Sequence, residues 1–237
     1  MKKLLVVLFS FALVAGRAQT ADEIVQKYAA AMGGLDAFNK VSSAQLTGTL
    51  SSQGANFPLL IRIINGKAMR TDVEVRGKTI NNVYNNGKGW TLNPYTGPAT
   101  PKEVTGAELL MLKVQASLAN NLMDYKNRGH KVELLGREDV EGIKTFKIKL
   151  TTKDDGKITT YFINVADYLL VKSIAKREIA GAEYDAETFY SDIKDINGIK
   201  FSMRFMQKIE GQVFQDVKYE KIELNVPLDE KIFEMPK

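Results

Sequence analysis

The 237-residue chain contains no cysteine, one histidine (His130), one tryptophan (Trp90) and only six prolines. Without cysteine there is no disulfide, and no lipid-attachment cysteine of the kind that anchors a bacterial lipoprotein. A single histidine excludes two-histidine metal sites and leaves one possible partner for a hydroxyl nucleophile. No Pro-rich or Ser-rich stretch divides the chain, and past Ala18 no apolar run approaches the roughly 20 residues of a membrane helix.

Met1–Ala18 reads as a secretory signal peptide. Lys2 and Lys3 give a basic start, Leu4 to Val14 is apolar but for Ser10, and Gly16-Arg17-Ala18 places small residues at the cleavage positions. Cleavage after Ala18 leaves Gln19 first, in an exported, periplasmic protein that is not lipid-anchored. Lys2, Lys3 and Arg17 supply three of the formal charges in the net +5. The remaining +2 argues against nucleic acid as a partner. Residues 19–237 read as a single domain, long enough to bury a core without disulfides.

Thr20-Ala21-Asp22-Glu23 has the spacing of a capping box, followed by an apolar stripe of Ile24, Tyr28 and Ala31 or Met32 and stopped by Gly33-Gly34. An N-terminal helix is expected. From Ser43 the period changes to two. Met69, Thr71, Val73 and Val75 alternate with charged residues, as do Phe146, Ile148 and Leu150, and Phe201, Met203 and Phe205 alternate with Lys200, Ser202 and Arg204. Asn65-Gly66, Asn86-Gly87, Asp154-Asp155-Gly156, Asn197-Gly198 and Glu210-Gly211 supply tight turns, so successive strands are expected to pair as antiparallel hairpins. Trp90 then stands on the strand after Asn86-Gly87, as a core residue or as part of a cavity wall.

Between Glu103 and Tyr125 the pattern is helical, with two neighbouring apolar stripes. One runs through Ala107, Leu110 or Met111, Val114, Leu118 and Leu122, the other through Leu109, Leu112, Ala116, Ala119 and Met123. Such a helix must bury most of its circumference against the sheet, as a core helix or as a lid over a hollow. A rigid empty hollow of about 300 Å³ would cost about 7 kcal/mol, comparable to the stability of a whole domain. The hollow must therefore be filled, collapsed or lidded. Met111, Met123, Met203 and Met206 are side chains able to repack around different contents.

The stretch YNNGKGWTLNPYTGPAT (residues 84–100), the run from Val132 to Ser173, INGIKFSMRFMQKIEGQ (196–212) and the ending ELNVPLDEKIFEMPK together resemble the periplasmic outer-membrane lipoprotein-sorting proteins, the LolA and LolB group, and their sorting-protein-like relatives. The resemblance covers nearly the whole mature chain. It implies a mainly β fold: a curved antiparallel half-barrel with an N-terminal helix and a lid helix over the concave face, enclosing space for acyl chains. Asn65-Gly66-Lys67 stands where those carriers have an Arg-Pro pair. The residue they use for lipoprotein handover thus has no counterpart here.

Catalytic patterns do not hold up. Ser173-Ile174-Ala175-Lys176 and Ser191-Asp192-Ile193-Lys194 match Ser-x-x-Lys, but in strands an offset of three sends the two side chains to opposite faces. Asn86-Gly87-Lys88-Gly89 lacks the spacing of a phosphate loop. His130 and the pairs Glu138-Asp139 and Asp154-Asp155 fit loop and turn chemistry.

The sequence reading is thus a non-enzymatic, monomeric carrier without metal or cofactor, binding a lipid or acylated ligand, with envelope membrane proteins as further partners. The expected lining is Leu59, Ile61, Val73, Trp90, Leu109, Leu112, Ile148, Phe201, Met203 and Phe205. The alternative is an envelope interaction or sensing module whose core is filled by its own side chains; a hydrolase would need a base that the chain does not offer.

Overall fold

The computed structural model describes residues 19–97, 99–179 and 181–236; the expected signal peptide lies outside them. Helix α1 (Ala21–Ala31) begins at the capping box, with Glu23 N–H donating to Thr20 Oγ1 at 3.2 Å and Thr20 N–H to Glu23 Oε2 at 3.1 Å. It buries Ile24, Val25 and Tyr28. A short α2 (Leu35–Lys40) leads into the sheet.

Thirteen strands form one antiparallel sheet that does not close. The first arm is β1 (Ser43–Ser52), β2 (Ala55–Ile64), β3 (Ala68–Val75), β4 (Lys78–Asn85), β5 (Lys88–Leu92) and β6 (Lys102–Val104). The second is β7 (Lys131–Val140), β8 (Ile143–Thr151), β9 (Ile158–Asn164), β10 (Leu170–Ile179), β11 (Ala182–Ile196), β12 (Ile199–Ile209) and β13 (Gln212–Leu224). Each arm is a meander, and pairing of β1 with β13 joins them, leaving β6 and β7 as the free edges. Gly48 sits at a register shift in that joint, where a Cβ would lie 2.2 Å from the Lys218 carbonyl oxygen. Only glycine permits this approach.

This order has a consequence for the connection between β6 and β7. Residues 105–130 must run from one free edge to the other, across the face on which the helices pack. They form a strap, and they depart from the single helix expected over Glu103–Tyr125. Glu103 and Val104 pair with β5, helix α3 spans only Gly106–Gln115, and turns follow. The reason lies outside the segment. Gly66 N–H donates to the Ala116 carbonyl at 2.8 Å, and Leu118 N–H donates to Asn65 Oδ1 at 3.0 Å, so the β2–β3 turn takes over where the helical ladder stops. Arg128 then holds the turns, donating to Asp124, Asn121, the Ser117 hydroxyl and the Ala119 carbonyl.

Of the two stripes on α3, the one carrying Leu109, Leu112 and Ala116 faces the sheet; Met111 and Val114 are exposed. The other face of the first arm is covered by the C-terminal segment. Phe233, in a single 3-10 turn (Glu230–Phe233), packs on Ala68, Val83 and Trp90.

Candidate ligand-binding site

Cross-strand pairing decides which side chains share the concave face, because directly opposed residues point the same way. Leu59 pairs with Val73, Ile61 with Thr71, Ile63 with Met69, and Met69 with Tyr84. In the second arm Ile148 pairs with Tyr161, Tyr161 with Ser173, and Tyr190 with Phe205.

Half of this face is plugged. Ile148, Leu150, Tyr161 and Ile163 are buried with Ile24, Val25 and Tyr28 of α1 and with Leu122 and Met123 of the strap. Leu46, Ile63, Met69, Tyr84, Met203 and Ile222 are buried with Leu112 and Ala116. Polar groups lock the plug: the Asn120 amide donates to the Tyr28 hydroxyl, and the Tyr125 hydroxyl to Asp22, both at 2.7 Å.

The other half is not filled. Leu50, Phe57, Phe205, Val217, Tyr190 and Tyr219 are only partly buried. Phe205 stands at its centre, edge-on to Tyr190 at 5.4 Å and to Tyr219 at 5.6 Å between ring centroids. Burial pushes the Tyr219 phenol up to about 12 and also raises that of Tyr190, whose hydroxyl meets Ser173 Oγ at 2.8 Å. These rings are enclosed by their neighbours yet keep part of their surface in contact with solvent. A separate groove of about 390 Å³, bordered by Val25, Ala29, Leu35 and Met123, runs outside this face between α1, α2 and the strap.

Nine of the ten lining residues expected from sequence share the concave side. Leu59, Ile61, Val73, Ile148, Phe201, Met203 and Phe205 lie on the sheet, and Leu109 and Leu112 on α3 face it. They are not equivalent. Ile148, Leu112 and Met203 belong to the plug, whereas Phe205 lines the open half.

Trp90 is a correction. It pairs with Val83 on the opposite face, and its indole N–H donates to the Phe233 carbonyl at 3.2 Å. The neighbouring Gly89 faces the strap, where a Cβ would lie 2.6 Å from Val104 Cγ2 and 2.9 Å from Leu109 Cδ1. Met206 is a second correction. Three residues beyond Met203, it points to the convex side, paired with Phe189. Met111 is likewise exposed rather than turned to the sheet.

Sequence reasoning missed Tyr190, Tyr219, Leu50, Phe57 and the polar trio Arg177, Gln207 and Thr188 on the same face. Counting by twos along β10 from Ser173 would have placed Arg177 there. The Ser-x-x-Lys pairs stand as the parity argument has them: Ser173 faces Tyr190 while Lys176 pairs with Asp185 at 2.9 Å. Among the described residues no group of three His, Cys, Asp or Glu side chains could hold a metal ion, and no helix is long and apolar enough to cross a membrane. His130 sits beside the β8–β9 turn, its Nδ1 accepting from Lys153 N–H at 3.1 Å.

The fold recurs in solved structures. A LolA superfamily protein from Nitrosomonas europaea matches with a TM-score of 0.61 at 15% identity, over 92% of this chain and 98% of that one. The fold is LolA-like. A putative outer membrane lipoprotein-sorting protein domain from Vibrio parahaemolyticus gives 0.60 at 12% identity, over 90% and 97%. A DUF1329 family protein from Desulfovibrio piger gives 0.55 at 12%, over 92% and 98%. No family profile and no curated protein sequence matches the chain. At these identities the LolA-like likeness concerns the fold.

Proposed function

We propose that this protein is an exported, monomeric, periplasmic carrier that holds an acyl chain or other lipid tail in the unplugged half of its concave face and performs no chemistry on it. The observation that carries this reading is the cluster of Phe205, Tyr190 and Tyr219 with Leu50, Phe57 and Val217, apolar groups enclosed by the sheet but left partly exposed. Apolar surface of this kind gains about 25 cal/mol per Å² when a ligand withdraws it from water. The LolA-like fold supports the reading, as does the lipoprotein-sorting description carried by the Vibrio neighbour. Envelope membrane proteins are the expected donor and acceptor.

One observation favours a second reading, an interaction or sensing module with a self-filled core. Ile148 is fully buried, and Leu112 and Met203 nearly so, by the protein's own helices. The two readings separate on chain length. The purified mature protein is titrated with fatty-acyl probes of increasing length, read by the probe's own fluorescence because Trp90 lies on the far face. Affinity that climbs with length, together with lipid in an organic extract of protein purified gently from its native envelope, supports the carrier. A flat response and an empty extract support the module.

A further inference from the structure

Arg177 lies four residues beyond Ser173 on β10, hence on the same concave face, close to the uncovered end of the hollow. Its Nη1 donates to Gln207 Oε1 at 2.5 Å, and its guanidinium lies over the Phe214 ring at 4.7 Å. Gln207 in turn donates to the Thr188 hydroxyl at 3.3 Å. Arg62 and Arg70 share Asp72, Arg128 pairs with Asp124, and Arg204 with Asp216. Arg177, like Arg76 and Arg137, has no carboxylate partner among the described residues, but those two are exposed whereas Arg177 is partly buried. Burial alone depresses its pKa, with no acid opposing the effect. A guanidinium offers five donors, and only the one to Gln207 is engaged with described residues.

A partly buried cation without a counterion has donors free for an anion, and a charge-assisted hydrogen bond made there is less screened than at an open surface. Thr188 pairs with both Ser173 and Gln207, so to reach Gln207 the Arg177 side chain lies back across the small residues between them, Ala175 opposed by Ala186 on one side and Thr159 on the other. The guanidinium is thereby brought inward to Gln207, and the next pair on this face is Tyr190 with Phe205, which stands edge-on to Tyr219. The arrangement is polar and cationic at the outer end and aromatic farther in.

We infer that the ligand of the concave face is an anionic amphiphile, its carboxylate or phosphate monoester head held by Arg177 beside Gln207 while its chain runs inward from there toward Phe205. This rests on the carrier reading and adds the chemical class of the head. Planar guanidinium suits a two-oxygen anion, and Gln207 and Phe214 fix the plane in advance.

The test is displacement of the neutral probe N-phenyl-1-naphthylamine from the mature protein by four amphiphiles of equal chain length: dodecanoate, dodecyl phosphate, dodecanol and dodecyltrimethylammonium. Dodecanoate or dodecyl phosphate should bind roughly tenfold to hundredfold tighter than dodecanol, the range of a hydrogen bond to a charged group, and dodecyltrimethylammonium weakest. Which of the two anions leads identifies the head. Arg177→Gln should bring the anions down to the level of dodecanol and leave dodecanol unchanged, while Arg177→Lys keeps part of the preference. Equal affinity for dodecanol and the anions in the wild type, or an Arg177→Gln variant that weakens all four alike, overturns the inference and leaves the carrier intact. Inorganic phosphate alone competing as well as dodecyl phosphate overturns the amphiphile in favour of a free anion. Failure of the neutral probe and every amphiphile to bind overturns the carrier reading itself.

Discussion

The side chain of Asn65 accepts the Leu118 amide at 3.0 Å, tying the β2–β3 turn to the strap 53 residues later. The same carboxamide donates to the carbonyls of Phe38 and Val41, both at 2.9 Å. One residue therefore joins α2, the sheet and the strap. Asn65→Ala should lower stability by about 2–4 kcal/mol, since three partners lose a hydrogen bond inside the fold. Urea unfolding measures the loss, and hydrogen exchange should locate it at residues 116–118. Asn65→Asp retains the acceptor for Leu118 but sets a carboxylate against two carbonyls, so it should not rescue.

Gly89 and Gly48 make a graded pair. An added methyl at Gly89 meets side-chain ends on Val104 and Leu109, which can shift; at Gly48 it meets the backbone of Lys218 and Tyr219, which cannot. Gly89→Ala should cost about 1–3 kcal/mol and loosen α3, whereas Gly48→Ala should cost more and disturb the joint between the two arms. Equal melting temperatures for the two variants would contradict this.

The histidine gives a pH signature. Lys153 N–H needs an unprotonated His130 Nδ1, and burial first, then the nearby Arg128, lower its pKa against the opposing pull of Asp154, Asp124 and Asp155. The folded state therefore binds a proton less readily than the unfolded chain, whose value is about 6.5. The stabilisation is whole above that value and declines as pH falls toward the lowered folded pKa. His130→Asn places a non-titrating acceptor at the same position. The stability of wild type relative to His130→Asn should therefore fall between roughly pH 7 and pH 5. A constant difference over that range would remove His130 from the account.

How far this architecture was legible depends on what sets each feature. The Thr20–Glu23 cap and the hairpin turns at Asn65, Asn86, Asn197 and Glu210 are local, and the structure has all of them. The face of Trp90 is not local. Strand β4 carries apolar Val83 and Tyr84 side by side because one face is covered by α3 and the other by Phe233, so alternation gives no parity there. The end of α3 is set by Asn65, some fifty residues earlier in the chain, and no helical stripe reveals that. Arg177 escapes notice among 33 basic residues; it stands apart only once it is seen to be both partly buried and without a carboxylate.

Trp90 should act through stability alone. Removing the indole deletes the hydrogen bond to Phe233 and the ring that Arg70 covers at 5.8 Å. Trp90→Ala should cost about 3–5 kcal/mol and release the C-terminal segment to proteolysis. Where the variant remains folded, the affinity for an acyl probe should stay within about twofold of wild type, a change of roughly 0.4 kcal/mol. A large loss of binding without a loss of stability would return Trp90 to the site.

The division of the concave face into a plugged and an open half yields a double dissociation. Leu112 is nearly fully buried in the plug against Met69 and Tyr84, so Leu112→Glu sets an unpaired carboxylate in the core and should cost about 3 kcal/mol or more. Val217 lies in the open half, opposite Phe205 on one side and Leu50 on the other, and is partly exposed. Val217→Lys should cost only about 1 kcal/mol of stability, since the lysine stem follows the apolar wall and its ammonium reaches water. It should nevertheless weaken a long-chain probe at least tenfold, because the head needs the space that the chain occupies. Each methylene buried contributes up to about 0.8 kcal/mol, so shortening the probe by four carbons should cost up to roughly 3 kcal/mol, more than a hundredfold, in the wild type. In Val217→Lys that slope should flatten. In Leu112→Glu, measured under conditions where it stays folded, the slope should persist. If instead Leu112→Glu abolishes the chain-length slope while Val217→Lys preserves it, the chain enters by displacing the plug, and the binding half of the face is the one beneath α3.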